Sequence, residues 1–405
     1  MRISHQLLFV LLSSVVLQLV FLSKYLFPLS SISVSSEPSW FSSSSSSCRK
    51  RRTIDITNYR NYSISNDLQD LIRLPQPEVL LPNNPAFTAT SQSICAFPSA
   101  NSRRRHPILG SYYTWVEYYY EHFPHFMEYL YPCWSYWMAR NSSQSEKILV
   151  LPANWATDRK RILRQSPYIQ GILHVLEHHD IRVVSDRGNG STFSSLAAVP
   201  IAVGCRLARI EDANSFRQVV MDSLGLPRRQ QHCLPHHRPR IGILDRSTTR
   251  RLSNMHEIQK ALQRWQGTHS NSTSPPPTIA YFEHKSFYDQ MEWLSQHVDI
   301  LVAPHGAGLT SIPLLPPCAG LVEIFPTGYD YRHFFGPLAT TSLQRRHRVL
   351  YNAIGDFGNE TKYAMQTASR RRKARSVPLC PDTDMVVQSV QELAEEWRQC
   401  ACSSA

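Results

Sequence analysis

Hydrophobic and polar residues follow one another along the chain in a pattern that predicts short buried strands separated by amphipathic helices. In the second half, helical periodicity covers Met255–Trp265 and Ser286–His297, and strand-length apolar runs stand around them at Arg240–Leu244, Thr278–Phe282, Val298–Ala303 and Gly320–Phe325. Runs that are apolar at every position indicate strands covered on both faces, as in parallel sheets. The pattern therefore predicts successive βα units and an α/β fold.

The stretch 298–326, VDILVAPHGAGLTSIPLLPPCAGLVEIFP, is the most informative part of the chain. A turn of small residues follows its first strand, two helical turns are predicted over Leu309–Leu315, and Pro316-Pro317 ends them. Small residues leave backbone N–H groups bare at the start of a helix, where the helix dipole favours anions. The plainer reading is that the glycines only allow strand and helix to pack closely. The anion-binding reading assigns candidate roles to His305, Gly306, Ala307, Gly308 and Thr310.

A cluster of arginines follows the strand Arg240–Leu244, in the sequence DRSTTRRLSN at 245–254. In open α/β sheets, ligands bind at the carboxyl ends of the strands, and guanidinium groups suit phosphate oxygens. A solvated helix start is the alternative. If the crossovers are right-handed, the loops after the three strands point the same way. Arg246 is then expected to share one crevice with Glu283, His305 and Gly306, with Arg250 or Arg251 beside it.

The first half contains a very aromatic segment, SYYTWVEYYYEHFPHFMEYLYPCWSYW at 111–137. Core packing accounts for most of these rings. A helix over Pro124–Tyr131 would place His125 and Glu128 on one face, and charged side chains among aromatics need partners. His122 lies just before this helix. Further strands and helices are predicted at Ile148–Leu151, Arg159–Gln165, Tyr168–Leu176, Ile181–Val184 and Val219–Leu224. Their alternation indicates that the first half of the chain forms a parallel-sheet domain of its own.

The chain has 405 residues, a formal net charge of +12 and 42% hydrophobic residues. This is a globular composition with room for two domains, and its basic excess suggests an anionic partner. Much of the excess lies in local arginine runs, and no zinc finger, RNA-binding signature or basic region with heptads is present. Nucleic acid is therefore not the expected partner.

Residues 1–29 are predicted to be a cytosolic tip and signal anchor, because Leu7–Leu22 is apolar and follows Arg2. A cleaved signal peptide is the alternative, but no A-x-A cleavage site follows closely. Residues 30–94 are a serine-rich stem and a proline-containing lead-in, whose part from 48 to 94 is expected to lie against the first domain. A Golgi or endoplasmic-reticulum membrane protein of single-pass type II, with a luminal bulk, is expected.

Sequons and cysteines agree with a luminal location. Five N-x-S/T sequons occur, at Asn61, Asn141, Asn189, Asn271 and Asn359. The nine cysteines are spread without a CxxC pair, which favours disulfides over zinc, and their odd number leaves at least one thiol free or bridged to another chain. The connectivity stays open at this point.

A linker rich in Pro, His and Arg, Pro227–Pro239, separates the two predicted domains, 95–235 and 236–405. Within the second, a strand is expected at His347–Tyr351, an exposed basic loop at Lys362–Arg375 and a final amphipathic helix at Asp384–Gln399. The D-x-D triplet Asp382-Thr383-Asp384 is expected to be only a helix start.

The second half resembles glycosyltransferase family 61, a eukaryotic group that includes plant xylan-decorating transferases and animal protein O-linked N-acetylglucosamine transferases. The resemblance rests on DRSTTRRLSN, FEHKSFYDQ, DILVAPHGAGLTSIPLLPP and VEIFP in this order, and more weakly on EHFPHFMEYLYP at 121–132. It implies a GT-B architecture of two facing Rossmann-like domains, with the nucleotide-sugar donor on the carboxyl-terminal one. It also implies inversion at the anomeric carbon and no D-x-D metal site.

Under this reading, Arg246 and Arg250 or Arg251 bind a diphosphate together with the turn at 305–308, and Glu283 and His305 hold nucleotide or sugar hydroxyls. Glu128, His122 and His125 are the candidates for the base on the acceptor hydroxyl. No metal or other cofactor is expected beside a UDP-sugar, and the acceptor is a glycan or a protein hydroxyl. A catalytically inactive, membrane-anchored carbohydrate-binding or scaffold protein of the same fold is the alternative.

Overall fold

The computed structural model describes residues 51–58, 93–96, 122–139, 147–151, 155–185, 205–229, 238–267, 275–344 and 346–403. The predicted anchor, most of the stem and the sequons at Asn61, Asn141, Asn189 and Asn271 lie outside these ranges. Within them, no helix has the combination of length and hydropathy that a bilayer crossing requires.

Nine strands form two sheets in a mixed α/β fold. The strands are β1 (Arg52–Asp55), β2 (Ser93–Ala96), β3 (Lys147–Leu151), β4 (Ile181–Ser185), β5 (Ile241–Asp245), β6 (Thr278–Tyr281), β7 (Ile300–Pro304), β8 (Gly320–Phe325) and β9 (His347–Ala353). A six-stranded sheet has the order β1-β9-β8-β7-β5-β6, and a three-stranded sheet has the order β2-β3-β4. All pairings are parallel except that of β1 with β9.

Ten α-helices connect and cover these strands: α1 (Phe123–Ala139), α2 (Trp155–Gln165), α3 (Pro167–His178), α4 (Ile210–Ser223), α5 (Met255–Gly267), α6 (Phe287–His297), α7 (Gly336–Leu343), α8 (Phe357–Met365), α9 (Ala368–Ser376) and α10 (Thr383–Ser403). A 3₁₀ helix (Ala307–Leu314) joins β7 to β8. These counts refer to the described ranges alone.

The six-stranded sheet has a topological switch point between β5 and β7. These two strands are neighbours, yet β5 is followed by β6 on its outer side, whereas β7 is followed by β8 on the other side. Connections that leave adjacent parallel strands in opposite directions open a crevice at the carboxyl ends, where α/β proteins bind ligands. The loops after β5 and β7 are those singled out by sequence.

Most predicted elements are confirmed within a few residues, and Gly320–Phe325 is matched at both ends. Helix α1 continues through Pro132, where the prediction ended at Tyr131. Twelve of its residues, Phe126 to Trp137, are buried, so packing outweighs the hydrogen bond that proline removes. In place of the short helix expected at Leu309–Leu315, the structure has a 3₁₀ helix at Ala307–Leu314.

Two expectations for the flanking segments are wrong. Residues 52–55 do not lie against the first domain but pair with β9 at the edge of the six-stranded sheet. The segment Lys362–Arg375 is not a loop, because it belongs to helices α8 and α9. Arginine and lysine are good helix formers, and the Thr367 side chain caps α9 by accepting a hydrogen bond from the Arg370 N–H at 3.2 Å.

One apolar core contains residues from both sheets and from the helices between them. Helix α1 lies on the 3₁₀ helix, where the Tyr131 hydroxyl donates to the Thr310 carbonyl at 2.5 Å. Helix α3 approaches α6 so closely that a Cβ on Gly171 would lie 2.2 Å from the Phe287 ring. Residues of the two predicted domains, 95–235 and 236–405, are thus in direct contact.

Five cysteines in the described ranges are disulfide-bonded, in agreement with the preference of the sequence for disulfides. Cys318, which precedes β8, forms a disulfide with Cys400 in α10. Cys133, Cys380 and Cys402 are also disulfide-bonded. Cys205 is a buried free thiol.

Asp382 accepts hydrogen bonds from the N–H groups of Asp384 and Met385, so the D-x-D triplet begins a helix, as expected.

Candidate functional site

The loop after β5 is folded so that two guanidinium groups lie beside the turn after β7. Asp245, buried at the end of the strand, accepts a hydrogen bond from the Leu252 N–H at 2.8 Å and so closes the loop. Arg246 Nε donates to the Thr249 carbonyl at 2.8 Å. Arg250 has a φ of 60°, a left-handed conformation that is unusual for a residue with a side chain. Such backbone strain is often found where a side chain must be aimed at a site.

Arg250 is the buried member of the arginine cluster. Its side chain is 7% exposed, and Nη1 donates to the His305 carbonyl at 2.9 Å. Its Nε is buried and has no hydrogen-bond partner among the described residues. Arg251 is exposed. The structure therefore separates two arginines that the sequence left as alternatives, and it is Arg250 that reaches the turn after β7.

Gly306 brings the loops after β5 and β7 into contact. A Cβ at this position would lie 2.6 Å from Arg246 Nη1 and 3.6 Å from the Arg250 Cζ. Both guanidinium groups therefore rest on the glycine backbone. At Gly308 the neighbour is apolar, since a Cβ would lie 2.8 Å from Leu244 Cδ2. Gly306 thus makes room for the cations, and Gly308 makes room for the strand core.

The turn after β7 leads directly into the 3₁₀ helix. Leu309 N donates to the Gly306 carbonyl at 3.0 Å, which closes the first turn. The first N–H groups of such a helix have no partner within it. Ala307 and Gly308 at this start are partly exposed. Thr310 is completely buried, and its hydroxyl has no hydrogen-bond partner within the described ranges.

His305 is a buried histidine held by a carboxylate. Its Nδ1 lies 2.6 Å from Glu323 Oε1, and His347 Nε2 lies 2.9 Å from Glu323 Oε2. The imidazole stacks on Phe325 with ring centroids 4.4 Å apart. Burial, the largest influence, lowers the pKa of His305 even though Glu323 opposes it. A neutral ring that donates from Nδ1 carries no proton on Nε2.

Glu323 is completely buried between the two histidines. Burial alone would raise the pKa of Glu323, but the hydrogen bonds from His305 and His347 outweigh it and lower the pKa to about 2. The carboxylate therefore stays ionised at neutral pH and fixes the orientation of His305.

Positive charge dominates the crevice. Burial lowers the pKa of both Arg246 and Arg250. The charge of Arg246 lowers the pKa of Arg250 further, whereas the Glu283 carboxylate opposes the shift at Arg246. Glu283 itself accepts a hydrogen bond from the Ser247 N–H at 3.3 Å. No described carboxylate forms an ion pair with Arg246 or Arg250.

A second cluster of polar groups lies on α1. His125 Nδ1 lies 2.5 Å from Glu128 Oε2, as expected for residues three apart on one helical face. Glu128 is completely buried, and the His125 side chain is 16% exposed. His122 is exposed, and its carbonyl accepts hydrogen bonds from the N–H groups of His125 and Phe126. A buried carboxylate behind a more accessible imidazole is the arrangement of an oriented general base.

Aromatic rings connect the two clusters. His125 contacts Phe334 edge-on at 5.7 Å, Phe334 contacts Phe335 at 4.7 Å, and Phe335 lies 5.5 Å from His305. Tyr329 and Tyr331 form a parallel path between the same ends. The segment after β8 therefore lies between the arginine crevice and the His125–Glu128 pair, and places both at one region of the molecule.

Sequence reasoning missed several residues of this region. Glu323 occurs in the quoted VEIFP motif, and its central position in an apolar strand was a usable signal, because a carboxylate there needs a partner. His347 had no such signal. The described ranges contain no group of three or more His, Cys, Asp and Glu side chains arranged to hold a metal ion.

Comparison with known protein families identifies one whose match includes most of the motifs described above. The family model Glycosyltransferase 61 matches residues 95–322, more than half of the chain. This range includes α1 and the loops after β5, β6 and β7, and it ends within β8. A search of curated proteins finds no match.

Proposed function

Since the chain belongs to the glycosyltransferase 61 family, we propose that it is an inverting enzyme of GT-B type that moves a sugar from a UDP-sugar to a glycan or protein hydroxyl. The observation that carries this proposal is the contact of Arg246 and Arg250 with Gly306 at the switch point of the sheet. Two guanidinium groups without an ion-pair partner among the described residues fit the charge of a diphosphate.

The proposed role of the crevice is to stabilise the negative charge of the leaving diphosphate. As the bond between the anomeric carbon and the diphosphate oxygen breaks, negative charge builds on the leaving group. Arg246, Arg250 and the N–H groups at the start of the 3₁₀ helix would stabilise this charge. Guanidinium groups would then take the part that a divalent cation plays in other transferases.

The proposed role of α1 is to accept the proton of the acceptor hydroxyl. The acceptor hydroxyl would attack the anomeric carbon from the face opposite the diphosphate, and its proton would pass to His125. Glu128 is completely buried and so suits the orienting role, in which it accepts from Nδ1 and makes Nε2 the basic atom. Among the three candidates, we therefore assign the base to His125 and a positioning role to Glu128.

The proposed location is the lumen of the Golgi or endoplasmic reticulum, with the apolar segment near the amino terminus as a signal anchor. The disulfide between Cys318 and Cys400 supports an oxidising compartment. Loss of apparent mass on enzymatic deglycosylation of the full chain from cells would test this placement, and an unglycosylated chain that fractionates with the cytosol would contradict it.

A panel of nucleotide sugars tests the activity. UDP-xylose, UDP-arabinose and UDP-N-acetylglucosamine are each added to the wild type and to Arg246→Ala, and the melting temperature is measured. We expect at least one of them to stabilise the wild type and not the variant, and the same donor to be consumed with glycan or peptide acceptors. Binding without turnover would instead favour the inactive carbohydrate-binding alternative. Absence of any binding would contradict the proposal.

A further inference from the structure

Helix α9 brings additional positive charge to the arginine crevice. Its sequence, ASRRRKARS, contains four arginines and a lysine, and it lies beyond the residues that the family model matches. Arg371 and Arg375 are four residues apart and so share one face of the helix. Arg372 is exposed and lies about 100° around the helix axis from Arg371 and about 60° from Arg375.

The chain that leaves α9 is fastened to the loop after β5. Leu379 N donates to the Arg251 carbonyl at 2.9 Å, and Ser253 N donates to the Leu379 carbonyl at 2.8 Å. The Asn254 side chain donates to the Pro381 carbonyl at 2.7 Å. These bonds hold the last turn of α9, which carries Arg375, beside the loop that carries Arg246 and Arg250.

The charges of α9 lie close enough to the crevice to act on its side chains. After the larger effect of burial, the charge of Arg375 lowers the pKa of Arg246 and of Arg250. Arg375 and Arg371 also lower the pKa of Tyr329, which burial raises. The ring of Tyr329 lies 5.5 Å from that of His305. Together with the hydrogen bonds between the chain after α9 and the loop after β5, this places Arg375 near Arg246 and Arg250, and both Arg371 and Arg375 near Tyr329.

The resulting cluster has no ion-pair partner among the described residues, although Glu283 and Asp245 act on Arg246 from a greater distance. No described carboxylate forms an ion pair with Arg246, Arg250 or Arg375, although many other arginines have such partners, such as Arg229 with Asp299 at 2.6 Å. Arg250 is buried and its Nε is unbonded within the described ranges. Like charges gathered around a buried guanidinium destabilise a protein unless an anion neutralises them.

We propose that Arg375, with Arg371 one turn before it, forms an outer wall of the crevice and binds the phosphate oxygens of the donor from the side opposite Gly306. This inference rests on the proposed function, because the anion is taken to be the diphosphate of a nucleotide. It assigns a donor-binding role to a helix outside the matched family range.

Calorimetric titration with UDP and with inorganic pyrophosphate tests this inference on the full chain. We expect Arg375→Ala to weaken both ligands by roughly tenfold and Arg371→Ala by roughly threefold, and the wild-type affinity to fall more steeply with salt than that of Arg375→Ala. The matched control is Arg372→Ala, which removes the same charge from the same helix and should change either affinity less than about twofold. Arg375 is exposed and has no ion-pair partner among the described residues, so its truncation should not lower the melting temperature of the free protein.

The outcomes separate the two levels of the proposal. If Arg246→Ala abolishes binding while Arg375→Ala behaves like Arg372→Ala, the role of α9 is wrong and the proposed function stands. If the wild type binds neither UDP nor pyrophosphate, the proposed function fails and this inference fails with it. A loss that is equal in all three α9 variants would show only a general effect of net charge and would also overturn the specific role of Arg375.

Discussion

The arginine crevice and the His125–Glu128 pair differ in whether their charged side chains have a partner of opposite charge. In the crevice, Arg246 and Arg250 lie on Gly306 without an ion-pair partner among the described residues. On α1, the buried Glu128 carboxylate already has His125 at 2.5 Å. The cations of the crevice can therefore gain an ion-pair partner from a ligand, whereas the carboxylate on α1 already has one within the protein.

This difference indicates a division of labour. A cluster of guanidinium groups without an ion-pair partner gains most from binding an anion and is suited to hold a diphosphate. A carboxylate–imidazole pair gains little from an anion but can accept a proton, since the carboxylate stabilises the imidazolium that forms. The aromatic segment Tyr329–Phe335 lies between the two. Substitutions on the two sides should therefore have different kinetic signatures.

The largest effect is expected for the base. His125→Ala should lower kcat by about a thousandfold while donor binding is kept, because only proton transfer is lost. His122→Ala, which removes an exposed imidazole three residues earlier, should lower kcat far less. Steady-state kinetics with both substrates varied, together with donor titration, measures this. Equal losses in the two variants would contradict the assignment.

The next largest effect is expected for the crevice. Arg250→Ala should lower kcat/KM by a factor of about a hundred to a thousand, the usual result of removing a donor to a developing negative charge. Unlike His125→Ala, it should also weaken UDP binding. Arg250→Lys should recover only part of the loss, since lysine keeps the charge but not the planar fork. Arg251→Ala, which removes an exposed charge next to it, should have a much smaller effect.

A pair of glycine substitutions distinguishes the crevice from the core beneath it. Gly306→Ala places a methyl group 2.6 Å from Arg246 Nη1, so the guanidinium must move, and UDP affinity should fall by about tenfold. Gly308→Ala meets Leu244 at 2.8 Å and should cost about 1–3 kcal/mol of stability through overpacking. In thermal unfolding and UDP titration, Gly306→Ala should lose mainly affinity, and Gly308→Ala should lose mainly stability. The same loss of affinity in each would break the distinction.

His305 should make stability depend on pH. Burial lowers the pKa of His305 from its ordinary value of 6.5. Just below pH 6.5, this imidazole is therefore protonated in the unfolded chain but neutral in the folded protein. The free energy of unfolding should therefore fall as the pH drops through 6.5, by at most about 1.4 kcal/mol per pH unit for this group. His305→Gln should flatten that part of the profile. Chemical denaturation at a series of pH values measures the slopes, and identical slopes would contradict the assignment.

The smallest effect is expected for chelators. If guanidinium groups neutralise the diphosphate, EDTA should leave the transfer rate unchanged within about twofold. Restoration of a lost rate by Mn²⁺ or Mg²⁺ would show instead that the crevice works through a metal ion.

The sequence predicted the sheet well because buried parallel strands leave a strong local pattern. The strands at 241–245, 300–304 and 320–325 needed only their apolar runs and the turns that follow. It did not separate Arg250 from Arg251, because the difference depends on a left-handed φ that only the folded loop imposes. It also took α9 for a loop, since charge suggests solvent exposure, whereas helix propensity and the Thr367 cap decide its structure.

A crystal structure with UDP bound would test the central claim most directly. The account predicts diphosphate oxygens within hydrogen-bonding distance of the Arg246 and Arg250 guanidinium groups and of the backbone N–H groups at 306–308. A diphosphate bound elsewhere on the protein, with both guanidinium groups left without an anion, would contradict it.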